Sequence, residues 1–152
     1  MRHEQFQTEL FRYPFRIELA TRYGDCDVMG HINNVAFARL FEESRIQFNM
    51  AIHNAADLTY FGQRDRIMLV ATHLFYLQEL HYPSTVTVGV GIMRIGTSSY
   101  TLSAAMFRDD GQCVAVNQST LVSGENGKSM PLSQALKDAA SRMIIDATTP
   151  VR

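Results

Sequence analysis

The sequence is poor in cysteine. Its 152 residues include two, Cys26 and Cys113, which are far apart and form no Cys-x-x-Cys pair. A disulfide framework needs more cysteines, and neither a zinc ribbon nor a redox dithiol fits two isolated residues. We therefore expect reduced thiols and a cytoplasmic protein.

Long apolar runs and an excess of one charge are also missing. The first ten residues lack the apolar core of a signal peptide, and no run approaches the roughly 20 apolar residues of a membrane span. Fourteen basic and fifteen acidic side chains leave a net charge of −1, which is not the electrostatic footprint of a nucleic-acid-binding protein. We expect neither a membrane nor a nucleic acid among its partners.

Sequence patterns for metals and cofactors are scarce. No histidine pair has helical ligand spacing, and no carboxylate triad accompanies the histidines. The five histidines are His3, His31, His53, His73 and His81. Gly89-Val-Gly91 lacks the third glycine of a dinucleotide loop and lies in an alternating strand pattern, so close packing explains it better. We expect no metal and no cofactor, and the lack of a Gly-x-Ser-x-Gly elbow disfavours an α/β-hydrolase.

The length and composition of the chain are those of one globular domain. Its length and its hydrophobic fraction of 46% suffice for a core of ordinary size, and 19% of the residues are charged. These values are typical of a globular protein. We expect a single domain over residues 1–152.

A polar loop over residues 22–34 runs directly into an amphipathic stretch. Glycine and Asx residues favour special backbone angles, and the loop is rich in both. It contains Gly24, Asp25, Asp27, Gly30, His31, Asn33 and Asn34. Apolar residues from Phe37 to Ile52 then recur at intervals of three and four, which predicts a helix over residues 34–52. Asn33 or Asn34 would cap this helix, and function is predicted to reside in the loop.

The remaining pattern is mostly that of strands. Residues 15–21 alternate apolar and polar side chains, and four further strands are predicted after the helix and a loop over residues 53–66, with a short helix near Asp57 as an alternative. These strands cover residues 67–80, 86–92, 100–106 and 114–122. Turn signals at residues 95–98 and 109–111 predict a meander, and Pro131 opens a terminal helix to about residue 145. The fold class is therefore α+β.

Two stretches carry a family resemblance. Tyr23-Gly-Asp-Cys-Asp-Val-Met-Gly-His-Ile-Asn-Asn34 and Phe41-Glu-Glu-Ser-Arg45 resemble the 4-hydroxybenzoyl-CoA thioesterase family, and residues 90–99 and 115–122 match its third and fifth strands. The resemblance covers residues 13–132, roughly. It implies a hotdog fold, in which a curled antiparallel sheet wraps around one long central helix, and an acyl-CoA thioesterase.

A curled sheet with one covering helix leaves strand edges and a face to protect. We therefore expect a homodimer or a homotetramer. The resemblance implies the same and places the active site at the dimer interface. The substrate it implies is an acyl-CoA or an acyl carrier protein.

The two loop aspartates allow more than one chemistry. In an extended chain Asp25 and Asp27 would share a side, with Cys26 opposite. Such a pair can act as base and acid, bind a metal, or cap and brace the turn, and Asx residues in loops favour the last of these. The resemblance assigns catalysis to Asp27 and makes Asp25 and Arg22 its structural supports.

Backbone N–H groups at the start of the helix, around residues 33–35, would stabilise the oxyanion formed from a thioester. The oxyanion and loop-support residues expected with Asp27 are Gly30, His31, Asn33, Asn34 and Asp25. His31 either binds the substrate and orients Asp27 or stabilises the turn by hydrogen bonds.

Other residues have two interpretations each. Glu42 is the reserve nucleophile, because a second branch of hotdog thioesterases has its glutamate on this helix, but a solvated helix face also explains it. The resemblance implies coenzyme A contacts at Arg94, Ser98 and Ser99, which an exposed turn explains equally well. Aromatic residues of the predicted strands, such as Tyr76, either line an acyl pocket or belong to the core.

Two other functions stay open. Hotdog hydratases pair an aspartate with a histidine five residues later, whereas Asp27 and His31 are four apart and Asp25 and His31 are six apart. The spacing disfavours an enoyl-CoA hydratase. A non-catalytic module that binds acyl-CoA or an acyl carrier protein would keep the pocket without needing Asp27.

Overall fold

The chain folds into one long helix, one short helix and an antiparallel sheet. The computed structural model describes residues 2–62 and 66–150. Within these residues the helices are α1 (Asn34–Ala55) and α2 (Gln134–Ser141), and the strands are β1 (Phe15–Ala20), β2 (Arg66–Tyr76), β3 (Thr85–Ile95), β4 (Ser99–Phe107), β5 (Cys113–Glu125) and β6 (Lys128–Ser129). None of the described helices is both long and apolar enough to span a membrane. The predicted α+β class and the hotdog arrangement are confirmed.

The sheet order departs from a simple meander. The order is β1-β3-β4-β5-β2, and β6 pairs with the end of β5. The meander prediction is confirmed for β3, β4 and β5, which are joined by tight turns, and Gly111 supplies a positive φ of 84° in the second turn. It is wrong for β2, which pairs with β5, because the eight residues 77–84 after it are too long for a hairpin turn. β2 is therefore an edge strand.

Helix α1 lies against the inner face of the curled sheet. Its buried apolar side chains pack with those of β3, β4 and β5, and include Phe37, Leu40, Phe41, Phe48 and Ile52. Burying each such side chain contributes roughly 1.5–3 kcal/mol.

The helix continues three residues beyond its predicted end at residue 52. His53 is buried on the same face, and its Nδ1 lies 2.7 Å from the carbonyl oxygen of Asn49. Burial lowers the pKa of His53, so the neutral ring packs as a core residue. The apolar pattern missed this last turn because its inward residues are polar.

The N-terminal segment covers part of the outer face of the sheet. The Gln7 side chain donates to Ser103 Oγ at 2.8 Å and accepts from Gln118 Nε2 at 3.0 Å. The Tyr13 hydroxyl donates to the Gln7 carbonyl oxygen at 2.7 Å, and burial raises the pKa of this tyrosine. Sequence patterns did not predict this contact.

The two glycines of β3 make room for that segment. A Cβ atom at Gly89 would lie 2.6 Å from the ring carbon Cγ of Tyr13, and one at Gly91 would lie 3.0 Å from Pro14 Cδ and 3.1 Å from Ile145 Cβ. Real Cβ contacts are rarely so short. The structure therefore explains the Gly89-Val-Gly91 sequence by close packing, as expected.

The bounds predicted for the terminal helix are wrong. Helix α2 spans Gln134–Ser141 and is capped by Ser133, whose side chain accepts from the Leu136 N–H. Residues near its predicted end bind β3 instead: the Ile145 N–H donates to the Ile92 carbonyl oxygen at 2.9 Å.

Other boundaries also differ from the sequence predictions. Asp57 lies in a turn with a φ of 56° rather than in a short helix. The predicted strand over residues 67–80 ends at Tyr76. Residues 63–65 of the predicted loop lie outside the described residues.

Candidate active site

The loop ahead of α1 contains a small hairpin. Cys26 and Ile32 form an antiparallel bridge, the Asp27 N–H donates to the His31 carbonyl oxygen at 2.9 Å, and the Gly30 N–H donates to the Asp27 carbonyl oxygen at 3.0 Å. Gly30 has a φ of +80°, a left-handed conformation that favours glycine. The turn therefore fixes the backbone on both sides of Asp27.

Within this turn, the Asp27 carboxylate is held through one oxygen. Asp27 Oδ1 accepts from the Met29 N–H at 2.9 Å and from the His31 N–H at 3.0 Å. Oδ2 accepts no hydrogen bond from any described residue. The side chain therefore braces the turn and still keeps one oxygen available for chemistry.

Asp25 has a different environment. Its buried carboxylate accepts from the Arg22 N–H at 2.8 Å and from Arg22 Nη2 at 3.3 Å. Its carbonyl oxygen accepts from the Asn33 N–H at 2.9 Å. The expectation that Asp25 and Asp27 share a side is wrong, because Tyr23–Asp25 is a 3₁₀ turn and not an extended chain.

Helix α1 starts beside Asp27. Asn33 is its N-cap, and Asn33 Oδ1 accepts from the Ala36 N–H at 2.8 Å. Helix geometry leaves the first N–H groups, those of Asn34 and Val35, without an intrahelical acceptor. Together with the positive end of the helix dipole they favour a negatively charged oxygen at this position.

A cavity of about 760 Å³ brings these groups together. Asp27 and Asn34 line it with two aromatic side chains, Phe37 and Tyr76. Those rings meet edge to face, with centroids 5.4 Å apart. The cavity therefore combines a carboxylate, a helix N-terminus and an apolar wall, a combination typical of small-molecule sites.

The opposite wall is formed by the segment after β2. The Ile32 N–H donates to the Leu80 carbonyl oxygen at 2.7 Å, and the Tyr82 N–H donates to the Gly30 carbonyl oxygen at 2.9 Å. This pairing places the rings of His31 and His81 4.6 Å apart. The His31 ring thus packs against His81, while the backbone N–H of His31 binds Asp27.

Arg108, in the turn between β4 and β5, also lines the cavity. It donates to Asp110 Oδ2 at 3.0 Å and to the Glu79 carbonyl oxygen at 3.4 Å. The Gln112 N–H, and after it Arg108, hold the pKa of Asp110 below its usual range. The sequence did not single out Arg108, because only the folded sheet brings this turn next to the loop.

The decisive comparison is with protein families. The model of the thioesterase-like superfamily matches residues 21–140, which is most of the chain and includes the loop, α1 and strands β2–β5. The chain belongs to the thioesterase-like superfamily. It is accordingly a thioester hydrolase, and the family resemblance carried by residues 23–34 is confirmed.

Solved structures share the fold of this thioesterase. A predicted thioesterase from Bacillus stearothermophilus is similar with a TM-score of 0.75 and 24% identity, over 86% of this chain and 96% of that one. A Thermus thermophilus thioesterase, complexed with coenzyme A and zinc, has a TM-score of 0.72 and 24% identity, over 86% and 94%. A 1,4-dihydroxy-2-naphthoyl-CoA thioesterase from Synechocystis has a TM-score of 0.72 and 17% identity, over 90% and 98%. No curated protein matches the chain significantly.

Glu42, the alternative nucleophile considered from the sequence, lies elsewhere. It lines a separate cavity of about 410 Å³ together with Asp25. Its Oε2 lies 3.7 Å from Arg45 Nη2, and the side chain is largely exposed. The structure does not bring Glu42 to the Asp27 cavity.

The residues expected to contact coenzyme A are also remote from Asp27 within one chain. Ser98 and Ser99 lie at the turn between β3 and β4, whereas Arg108 follows the opposite end of β4. The nine residues of β4 span about 27 Å at the usual rise of a strand. Arg94 pairs with Thr101 and so lies in the same distal half of the sheet.

Proposed function

We propose that this thioester hydrolase is an acyl-CoA thioesterase in which Asp27 is the catalytic carboxylate. The observation that carries the proposal is the binding of Asp27 through Oδ1 alone, at 2.9 and 3.0 Å from two backbone nitrogens, in a cavity that also contains the start of α1. Backbone hydrogen bonds hold the group in place, and the other oxygen is available.

The proposed reaction uses this geometry directly. A thioester carbonyl is electrophilic and its thiolate leaves readily, so one oriented carboxylate suffices. Asp27 either attacks the carbonyl carbon or takes a proton from the attacking water. The N–H groups of Asn34 and Val35 stabilise the oxyanion, an interaction whose loss typically lowers the rate by about 10²- to 10³-fold.

Gly30, His31, Asn33 and Asp25 support this site in the proposal. Gly30 permits the left-handed turn, the His31 N–H binds Asp27, and Asn33 caps α1. Asp25 holds the loop through Arg22. None of these four residues is assigned a step in the chemistry.

Coenzyme A as the carrier is supported by two of the similar structures. One contains coenzyme A, and another is named for a naphthoyl-CoA substrate. The cavity of about 760 Å³ with its pair of aromatic rings has room for an acyl or aryl group. An acyl carrier protein is the alternative carrier.

We also propose that the protein is a dimer, or a tetramer built from two dimers, assembled through β2. This edge strand has exposed apolar side chains, with Leu69 42% and Val70 58% exposed, and unpaired edges attract a second strand. Ser98 and Ser99 lie at the far end of β4, about 27 Å along the strand from its Arg108 end, and Arg94 pairs with Thr101 in the same half of the sheet. Their proposed contacts with coenzyme A therefore serve the cavity of a partner subunit.

Sedimentation equilibrium tests the assembly. We expect a dimer or tetramer at micromolar concentration, and a monomer for Leu69→Lys, which adds a charge to the exposed edge. Met130→Lys changes an exposed apolar residue outside β2 and should leave the assembly intact. A fully active wild-type monomer would contradict the proposal.

The activity is tested by a panel of alkyl- and aryl-CoA thioesters. We expect release of free coenzyme A thiol, without added metal or nicotinamide, from at least one of them. Hydration of an enoyl-CoA without thiol release would instead indicate a hydratase, and binding without either reaction would indicate a binding module. The same panel on acyl carrier protein identifies the carrier.

A further inference from the structure

Three side chains with metal-binding atoms meet at the rim of the Asp27 cavity. They are His31 from the loop ahead of α1, and Glu79 and His81 from the segment after β2. One ligand atom from each lies within 4.8 Å of those of the other two. We propose that these residues form a binding site for a divalent transition metal ion such as Zn²⁺.

The distances suit such an ion after small movements. Glu79 Oε2 lies 3.8 Å from His31 Nε2 and 3.5 Å from His81 Nε2. Ligand atoms about 2.0–2.1 Å from a tetrahedral zinc are roughly 3.3 Å apart. The Glu79 and His81 side chains are mostly exposed, so rotation of their side chains can close the remaining gap.

The backbone fixes the two sides of the site relative to each other. His31 and His81 form an antiparallel bridge, and hydrogen bonds of 2.7 Å and 2.9 Å join the flanking residues, from the Ile32 N–H to Leu80 and from the Tyr82 N–H to Gly30. Glu79 is two residues before His81, a spacing that in extended chain directs both side chains to one side. The backbone positions that carry His31 and His81 are therefore fixed before any ion binds.

The donor set selects the class of ion. Two imidazoles and one carboxylate suit zinc and its first-row neighbours, whereas magnesium and calcium prefer oxygen ligands. Three protein ligands leave a fourth position for water or an incoming group. Asp27 is not a member of the set, so the site is distinct from the carboxylate proposed for hydrolysis.

Isothermal titration of tag-free, chelator-treated protein with ZnCl₂ tests the site directly. We expect one ion per chain, and visible absorption bands of a low-symmetry site when Co²⁺ is used instead. Glu79→Gln and His81→Ala should each weaken the affinity by about tenfold or more, since loss of a ligand exceeds the usual effect of losing an outer partner. Because binding is measured without substrate, the outcome is independent of the thioesterase proposal.

His3→Ala is the matched control, because it removes a histidine that packs on Phe75, away from the three ligands. It should leave the zinc affinity unchanged. A circular dichroism spectrum like that of the wild type establishes that each variant is folded. Absence of zinc and cobalt binding to the wild type, or unchanged affinity in either ligand variant, would overturn the site.

Discussion

The two cavities beside the first half of α1 each contain carboxylates, but they hold them differently. In the larger one, Asp27 is bound by backbone N–H groups through one oxygen beside the start of the helix. In the smaller one, Asp25 and Glu42 both have an arginine nearby, Arg22 at 3.3 Å and Arg45 at 3.7 Å. The surroundings of each carboxylate, more than their number, distinguish the two sites.

The position along the helix adds to this difference. Asn34 begins α1 and lines the Asp27 cavity. Glu42 is eight residues later, which is about 12 Å along the helix axis, where the N–H groups are already bound within the helix. An oxyanion formed next to Glu42 would therefore lack the donors that are available next to Asp27.

The largest effect is expected from Asp27→Asn. The turnover number should fall by about 10²-fold or more with little change in KM, because the lost group acts mainly in the transition state. The amide oxygen can still accept from Met29 and His31, so the melting temperature should stay close to that of the wild type. Thiol-release kinetics and thermal unfolding measure the two quantities.

A near-normal turnover number in Asp27→Asn would contradict the assignment of catalysis to the larger cavity. If Glu42→Gln were inactive at the same time, the chemistry would belong to the smaller cavity. Near-normal activity in both variants and in Asp25→Asn would leave none of these three carboxylates with a part in the reaction.

The next effect is expected from Asn33→Ala, which removes the cap of α1. It should lower the free energy of unfolding by about 1 kcal/mol and also reduce the turnover number, since the N–H groups beside Asp27 lose their fixed orientation. Ser133→Ala removes the equivalent cap of α2 and should cost similar stability without a loss of rate. Equal rate losses in both variants would show that the rate falls because a helix is destabilised, and not because the lost cap lies beside Asp27.

A smaller effect on rate is expected from Asp25→Asn. This buried side chain braces the loop through Arg22, so its neutralisation should lower the free energy of unfolding by about 1 kcal/mol. The turnover number should fall much less than in Asp27→Asn. Urea unfolding together with thiol release tests this, and a rate loss as large as that of Asp27→Asn would give Asp25 a direct part in catalysis.

The smallest effect is expected from Glu42→Gln. Its ion pair with Arg45 is exposed on the Glu42 side, and exposed pairs contribute about 0–1 kcal/mol. Both the turnover number and the melting temperature should be nearly unchanged. The same two assays check this, with the wild type measured in parallel.

The fold was predictable where the signal is local. Phe37 to Ile52 repeat at helical spacing, and Gly111 marks the turn between β4 and β5, so α1 and the β3–β5 meander were found from the sequence. The place of β2 at the sheet edge depends on which strand it pairs with, and its alternation pattern does not specify a partner. The predicted terminal helix is too long because the apolar side chain of Ile145 suggested a helix face. In the structure, Ile145 packs against β3 instead.

The residues of the candidate site were also predictable only where they are close together in the sequence. Asp27 and Asn34 are close in the sequence and were found together, whereas Glu79, His81 and Arg108 join them only through the pairing of distant segments. No spacing along the chain predicts that His31 and His81, fifty positions apart, lie with their rings 4.6 Å from each other. A prediction of the whole rim would have required the pairing of residues 30–32 with residues 80–82.

The two glycines of β3 have a consequence for reading related sequences. Each lies where a terminal stretch of the chain crosses the strand, Tyr13 over Gly89, and Pro14 with Ile145 over Gly91. A valine or leucine in place of Gly89 would collide with the Tyr13 ring, and one in place of Gly91 would require Pro14 and Ile145 to move outward. In related sequences, those two positions therefore indicate whether β3 has room for segments like the ones that contain Tyr13, Pro14 and Ile145 on the outer face of the sheet.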